Sequence, residues 1–271
     1  EMPFKNVYFT GIVRDKKRRK MSKSLGNSPD PIELMKKYGA DGVRAGMLFS
    51  APAGNDLLFD EKLCEQGRNF SNKLWNAFRL IKNFEISSKG SDQSLAISWI
   101  NSRFNEVLDQ VEDHFSKYRI SDALLSLYTF IWDDFCSWYL EIIKEKSISK
   151  NTYDETIAIL EKILKTLHPF MPFITEELWN QINNKRDYVM ISDYPSSGKF
   201  DIKLNEDFNK IFEIVTGLRK LKSDNKIKQI DIVKVLVNKK SNFEFNLYKG
   251  LIEKLSKTKD LEEIEDIPAK F

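Results

Sequence analysis

Between Glu61 and Asn180 apolar residues recur at three- and four-residue steps through four successive segments, and this limits the possible folds more than any other feature. Leu63, Gly67, Phe70, Leu74, Ala77, Phe78 and Ile81 fall on one face of the first segment. Ile97, Ile100, Phe104, Val107, Val111 and Phe115 repeat the pattern. Leu124, Leu127, Tyr128, Ile131, Phe135, Trp138 and Ile142 carry it through a third segment, and Ile157, Leu160, Ile163 and Leu167 through a fourth. A stripe at this spacing is buried by packing one helix on another. Ser121 and Asn151 are placed to cap the third and fourth helices. Pro169 and Pro172 break the chain, and Thr175 restarts it over Glu176 to Asn180. Ser87 to Ser94 is a polar linker, and connections this short favour antiparallel neighbours. The expectation is an α-helical bundle with Phe70 and Phe78 in its core.

The chain before the bundle has a different character. Val7 to Val13 (VYFTGIV) is a short β-type run. From Arg14 to Lys23 there are seven basic residues and one acid, Asp15. The run ends in Lys20-Met21-Ser22-Lys23-Ser24, followed by Leu25-Gly26-Asn27. Ser22 and Ser24 can donate from a loop, and Gly26 lets the chain turn where other residues would be strained. Two ammonium groups beside loop N–H groups suit an anion with several oxygens. Asp30 and Pro31 fit the N-cap and first position of a short helix, Ile32 to Tyr38, that stops at Gly39. Asp41 is placed to cap a second helix, with Val43, Met47 and Leu48 on one side. A loop follows over residues 51–56.

After the bundle, Pro195, Ser196, Ser197 and Gly198 mark a boundary. Glu206 to Leu221 reads as a helix, and Ile232 to Asn238 as a strand with Val233, Val235 and Val237 on one face. Phe245 to Lys257 reads as a helix and Leu261 to Ile264 as a second strand, together a small α/β unit. Arg219, Lys220, Lys222, Lys226 and Lys228 form a second basic cluster, readable as an RNA contact or as a surface helix end.

The chain has 271 residues, 41% hydrophobic and 31% charged. That balance supports real cores and excludes a disordered chain. The net charge of +3 makes no whole-molecule case for nucleic acid, so local patches must carry one. Cys64 and Cys136 lie among apolar helical positions and read as free thiols in a reducing compartment. They and His114 and His168 are too far apart for metal-ligand spacing, so no metal site is expected. No apolar run approaches the roughly 20 residues that span a bilayer, and no signal peptide is seen. A cytoplasmic monomer is expected.

The sequence "KMSKS", with "LGN" and "DP" after it, resembles the signature loop of class I aminoacyl-tRNA synthetases. "YGADGVR" (Tyr38 to Arg44) follows at the distance that family uses. "APAGNDLLFD" (Ala51 to Asp60) and "GRNFSNKLWNAFR" (Gly67 to Arg79) are more similar to its valine branch than to the isoleucine or leucine branches. "LHPFMPFITEELW" (Leu167 to Trp179) is shared by the whole subgroup. One departure is visible: the family often has a glycine in the turn before the motif, and here the turn is Lys16-Lys17-Arg18-Arg19.

The resemblance implies a mainly α fold in three parts. Residues 1–60 would be the C-terminal end of a class I Rossmann catalytic domain, with the signature loop and stem helices. Residues 61–187 would be an anticodon-binding helical bundle, and 188–271 a small α/β subdomain. It implies attack of the valine carboxylate on the α-phosphate of ATP, accompanied by Mg2+, and transfer of the valyl group to tRNA(Val). Lys20 and Lys23 would be the catalytic residues, acting on the leaving pyrophosphate, with Met21, Ser22 and Ser24 completing the ATP-binding loop. Arg68, Asn72, Lys73, Asn76 and Arg79, on the arc of the first bundle helix away from its apolar face, would bind tRNA. The family's His-x-Gly-His motif is not found, and the chain starts at Glu1 without Met. The expectation is therefore a piece of a longer protein, with the valine pocket and editing domain upstream and a coiled-coil tail downstream. Alone it is expected to be inactive and to hold no bound cofactor. A stand-alone tRNA-binding helical module, an isoleucine-type fragment and a helical scaffold with no RNA role are the alternatives.

Overall fold

The computed structural model describes residues 3–9, 11–51, 54–182, 187–228, 235–238, 243–259 and 261–264. Two compact units result, Glu1–Phe200 and Asp201–Phe271.

In the first unit a two-residue strand β1 (Val13–Arg14) pairs in parallel with β2 (Leu57–Leu58). Between them lie helices α1 (Pro31–Tyr38) and α2 (Ala40–Phe49). Among the described residues of the run from Val7, only Val13 and Arg14 join a ladder, opposite the two residues of β2. α3 (Glu61–Lys82) leads through β3 (Ile86–Ser91) into α4 (Ser94–Ser116). β3 occupies most of the expected linker. Ile86 and Ser91 both bridge to Ile148, and Gly90 lies so close to that residue that a Cβ would sit 2.2 Å from its carbonyl carbon.

α5 (Ile120–Thr129) runs directly into a ten-residue π-helix, Phe130–Tyr139, and then α6 (Leu140–Ile143). The apolar spacing forecast one continuous α-helix over this stretch. The wider i→i+5 winding appears in the contact of Ser137 Oγ, which donates to the Trp132 carbonyl at 2.7 Å. Phe130, Ile131, Phe135 and Tyr139 still reach the core. Two polar contacts hold the π-helix in register with its neighbours. The Arg103 guanidinium donates to Asp134 at 2.8 Å and to Glu106 at 2.7 Å. The Tyr139 hydroxyl lies 2.8 Å from the Thr156 hydroxyl, and burial pushes its pKa up to about 12. α7 (Lys150–Leu167) and α8 (Pro172–Ile182) close the bundle. Its centre is Trp99, Phe70, Phe104, Phe130, Phe135 and Tyr139, all essentially inaccessible.

Helix ends are set differently from the sequence expectation. Ser149, not Asn151, caps α7 by accepting from Thr152 N, and α5 starts at Ile120, so Ser121 lies inside it. α8 starts at Pro172, with Thr175 buried inside it. Asp41 does not cap its own helix, whose N-cap is Gly39. Its carboxylate instead accepts from Ile174 N at 2.6 Å and Phe173 N at 3.3 Å, capping α8. Burial raises the Asp41 carboxyl, against the two N–H groups that favour its charge. One turn on, the Arg44 guanidinium donates to the carbonyls of Phe170 and Pro169, both at 3.1 Å. α2 thus holds both sides of the α7–α8 junction.

α2 can lie this close only because small residues line its crossing with α3. A Cβ on Gly46 would sit 2.6 Å from Cys64 N, and one on Gly67 would sit 2.5 Å from the Gly42 carbonyl oxygen. Backbone cannot move aside as a flexible side chain would.

The second unit contains α9 (Ile202–Asp224), β4 (Val235–Asn238), α10 (Phe245–Ser256) and β5 (Leu261–Ile264), with β4 and β5 parallel. Ile232 to Lys234, the start of the expected strand, lie outside the described residues. Asp201 caps α9 through Leu204 N, and Phe208, Ile211, Val215 and Ile252 are buried where α9 and α10 pack.

Gly67→Ala is expected to destabilise the first unit by about 1–3 kcal/mol through overpacking, read as a lower urea midpoint.

Candidate functional site

The basic loop is a hairpin built around its one acid. Asp15 Oδ1 accepts from Lys17 N and Arg19 N, both at 2.9 Å, and Oδ2 accepts from Arg19 Nε at 2.9 Å and Asn27 Nδ2 at 3.0 Å. Asn27 above all, then Arg19, holds the Asp15 carboxyl well below the usual carboxylate range, against a contrary contribution from burial. Asn27 Nδ2 also donates to the Lys20 carbonyl at 3.2 Å, and its Oδ1 accepts from Ser22 N at 2.9 Å. Ser22 Oγ accepts from Leu25 N at 3.3 Å and lies 3.3 Å from Ser24 Oγ. Gly26, at φ 61°, returns its N–H to the Lys23 carbonyl at 3.1 Å.

The turn before the motif keeps a left-handed residue without a glycine: Arg18 stands at φ 61°. Arg14 supports it, donating from Nη1 to the Arg18 carbonyl at 3.1 Å and pairing through Nε with Asp56. Asp56 also accepts from Ile12 N at 2.9 Å. The loop base is therefore fastened to the segment before α3.

Lys20 and Lys23 are both exposed, as is Ser24, while Met21 and Ser22 are half-buried. The two faces of the hairpin differ. One side opens on a 550 Å³ recess lined by Asp15, Met21, Asn27, Asp60, Glu61 and Glu65 among others, and neither Lys20 nor Lys23 lines it. Lys16 and Lys62 line the same recess, so its four carboxylates are partly offset by two ammonium groups.

On α3 the five expected tRNA-binding residues fall into two groups. Asn72, Asn76 and Arg79 are exposed, on the arc opposite the buried Phe70, Leu74, Ala77 and Ile81. Arg68 and Lys73 are half-buried flanks with partners in the chain. Arg68 pairs with Glu65 at 3.3 Å and lies 5.7 Å from the Tyr38 ring centre. Lys73 lies 5.0 Å from the Trp132 ring centre and donates to Ser137 Oγ at 3.3 Å. Trp75, half-buried at the rim, packs against Phe78 with ring centres 6.3 Å apart.

The second basic cluster separates as well. Lys222 is buried and donates to the carbonyls of Ser256 at 3.1 Å and Lys257 at 2.8 Å, while Arg219 donates to Leu255 at 2.8 Å. Both therefore cap the C-terminus of α10, where cations are favoured by the helix dipole. Lys220, Lys226 and Lys228 remain exposed.

Asp15, Asn27, Arg44 and Asp56 make contacts that the sequence did not single out, and Asp41, expected to cap its own helix, caps another. Asp15 carried a signal, as the lone acid in a basic run. His168 ends α7 and its Nδ1 lies 2.8 Å from Thr175 Oγ1; burial lowers its pKa. His114 sits in the last turn of α4. Cys64 is a buried free thiol, and burial pushes the Cys136 thiol up to about 12.

The profile for the anticodon-binding domain of tRNA ligases matches residues 98–237, and the chain belongs to that family. Residues 1–60 match the class I tRNA synthetases for I, L, M and V. Among individual proteins, the chain is similar to valine–tRNA ligases. That of Christiangramia forsetii is 51% identical over 97% of this chain and 31% of its own length. That of Bacteroides thetaiotaomicron is 55% identical over 80% of this chain and 26% of its own length. The chain thus spans about a third of the length of the curated relatives it matches. Its fold resembles that of the Agrobacterium radiobacter LeuRS solved in a ternary complex with tRNA and LeuAMS, with a TM-score of 0.54 and 20% identity over 75% of this chain and 25% of that one.

Lys222→Ala is expected to cost about 1.5–3 kcal/mol, the worth of hydrogen bonds from a charged group. The salt dependence of tRNA binding should stay unchanged; denaturant melts and filter binding at two salt concentrations read the two effects.

Proposed function

We propose that the chain is the part of a valine–tRNA ligase that carries the ATP signature loop and the anticodon-binding domain. The supporting observation is the pairing of two exposed lysines on a braced hairpin with a bundle whose first helix turns amides and a guanidinium outward. Class I synthetases use ATP with Mg2+. Here Lys20 and Lys23 would neutralise charge growing on the leaving pyrophosphate, with Met21, Ser22 and Ser24 forming the rest of the ATP-binding loop. Charge placed where it develops lowers the barrier more than it tightens ground-state binding. The attacking valine carboxylate is already ionised and needs no general base. Among the described residues no three His, Cys, Asp or Glu side chains gather to hold a metal.

The second role is holding tRNA(Val). Asn72, Asn76 and Arg79 combine amides for base edges with charge for phosphate, while Arg68 and Lys73 add positive potential from the flanks. We read the residue ranges 1–60, 61–187 and 188–271 as catalytic-domain end, anticodon bundle and α/β subdomain. We take the location as cytoplasmic, where free cysteines such as Cys64 and Cys136 are common, and the working form as a monomer. Among the described residues no helix is long and apolar enough to cross a membrane.

In the full-length ligase containing this chain, Lys23→Ala is expected to slow single-turnover adenylate formation about a hundredfold, some 3 kcal/mol, with tRNA affinity nearly intact. A wild-type rate would remove Lys23 from the mechanism. Arg79→Ala should weaken tRNA(Val) binding by roughly 1–3 kcal/mol if it reads a base. If it touches phosphate alone, any tRNA should lose affinity similarly and the salt slope should fall by about one. With tRNA(Val) and a tRNA of altered anticodon titrated at two salt concentrations, equal binding of both RNAs by wild type and variant throughout would make this stripe an ordinary solvated face.

A further inference from the structure

The two lysines assigned to the pyrophosphate are both exposed. Their placement comes from the backbone between them, and one side chain grips that backbone on both sides. The Asn27 amide donates to the Lys20 carbonyl and accepts from Ser22 N, so it straddles Met21. Its remaining N–H goes to Asp15 Oδ2 at 3.0 Å, twelve residues back. That contact fixes the amide's direction. A carboxylate and a carbonyl can only accept and a backbone N–H can only donate, so the nitrogen and oxygen of Asn27 cannot be exchanged without losing all three bonds. Asp15 is itself held by the two backbone N–H groups and the guanidinium of the preceding turn. The rigid turn thus orients Asp15, Asp15 orients Asn27, and Asn27 sets the backbone from which Lys20 and Lys23 project.

We propose that Asp15 and Asn27 form a latch that positions Lys20 and Lys23 for adenylate formation. Neither touches the reacting atoms; both act through the lysine-bearing backbone. The proposal rests on the role given to those lysines above. Displacing a charge by about an ångström from the reacting group can cost on the order of a hundredfold in rate, and an unlatched loop allows such displacement. The loop is at the surface, so its loss leaves the core intact.

The test uses the full-length ligase containing this chain, with Asn27→Ala, Asn27→Asp and Lys23→Ala compared by valine-dependent single-turnover adenylate formation between pH 5.5 and 8. Asn27→Ala is expected to lower the rate constant about ten- to a hundredfold, with the KM for valine and the melting temperature unchanged. Asn27→Asp places a second carboxylate against Asp15. Two such groups cannot both ionise at low cost, so one takes up a proton more readily than an isolated carboxyl. Its rate relative to wild type should therefore rise as the pH falls, and the same ratio for Asn27→Ala should stay flat. A purely structural role would not produce that difference in pH profile. A wild-type rate in Asn27→Ala, or the same pH profile in both Asn27 variants, would overturn the latch. If Lys23→Ala is slow while Asn27→Ala is not, the latch alone falls; if Lys23→Ala runs at the wild-type rate, the reading of the loop falls and takes the latch with it.

Discussion

Two charged side chains on the ten-residue helix α2 hold the larger unit together. Asp41 supplies the missing acceptor for the first N–H groups of α8, and Arg44 supplies donors for the carbonyls just before it. The partners lie more than 120 residues away in sequence. A helix-capping interaction is typically worth about 1 kcal/mol, and its geometric effect is larger than that figure suggests. With α2 also seated on α3 through Gly42, Gly46 and Gly67, the stem after the hairpin has little freedom to shift against the bundle.

That constraint bears on the two tasks proposed for this chain. The hairpin is braced at its base by the Arg14–Asp56 pair and internally by Asp15 and Asn27. The bundle turns Asn72, Asn76 and Arg79 outward. Both belong to the compact unit Glu1–Phe200, so their separation is set by packed helices and not by a linker.

The bundle and both ends of the α/β unit were legible because burial imposes a period on sequence. The exposed arc of α3 follows from the same period by exclusion. What could not be read was which helix end each polar side chain would reach. Asp41 looks like the cap of its own helix from sequence alone, and its true target is α8. Arg219 and Lys222 look like a surface basic cluster, yet close the end of α10. Ser149 and Asn151 are both able caps, and only the register of the β3–Ile148 contacts decides between them. The π-helix was invisible because an i→i+5 winding still brings Phe130, Phe135 and Tyr139 inward. Around the motif, residue types pointed to Lys20 to Ser24, but the supporting role of Asn27 depends on a contact across twelve residues.

In the proposed function this chain meets tRNA through its bundle. Nuclease or hydroxyl-radical footprinting of tRNA(Val) bound to the full chain tests that most directly. Protection is expected at the anticodon loop and its closing stem, with the acceptor end left reactive. Protection confined to the acceptor end, or a footprint that ignores the anticodon loop, would contradict it.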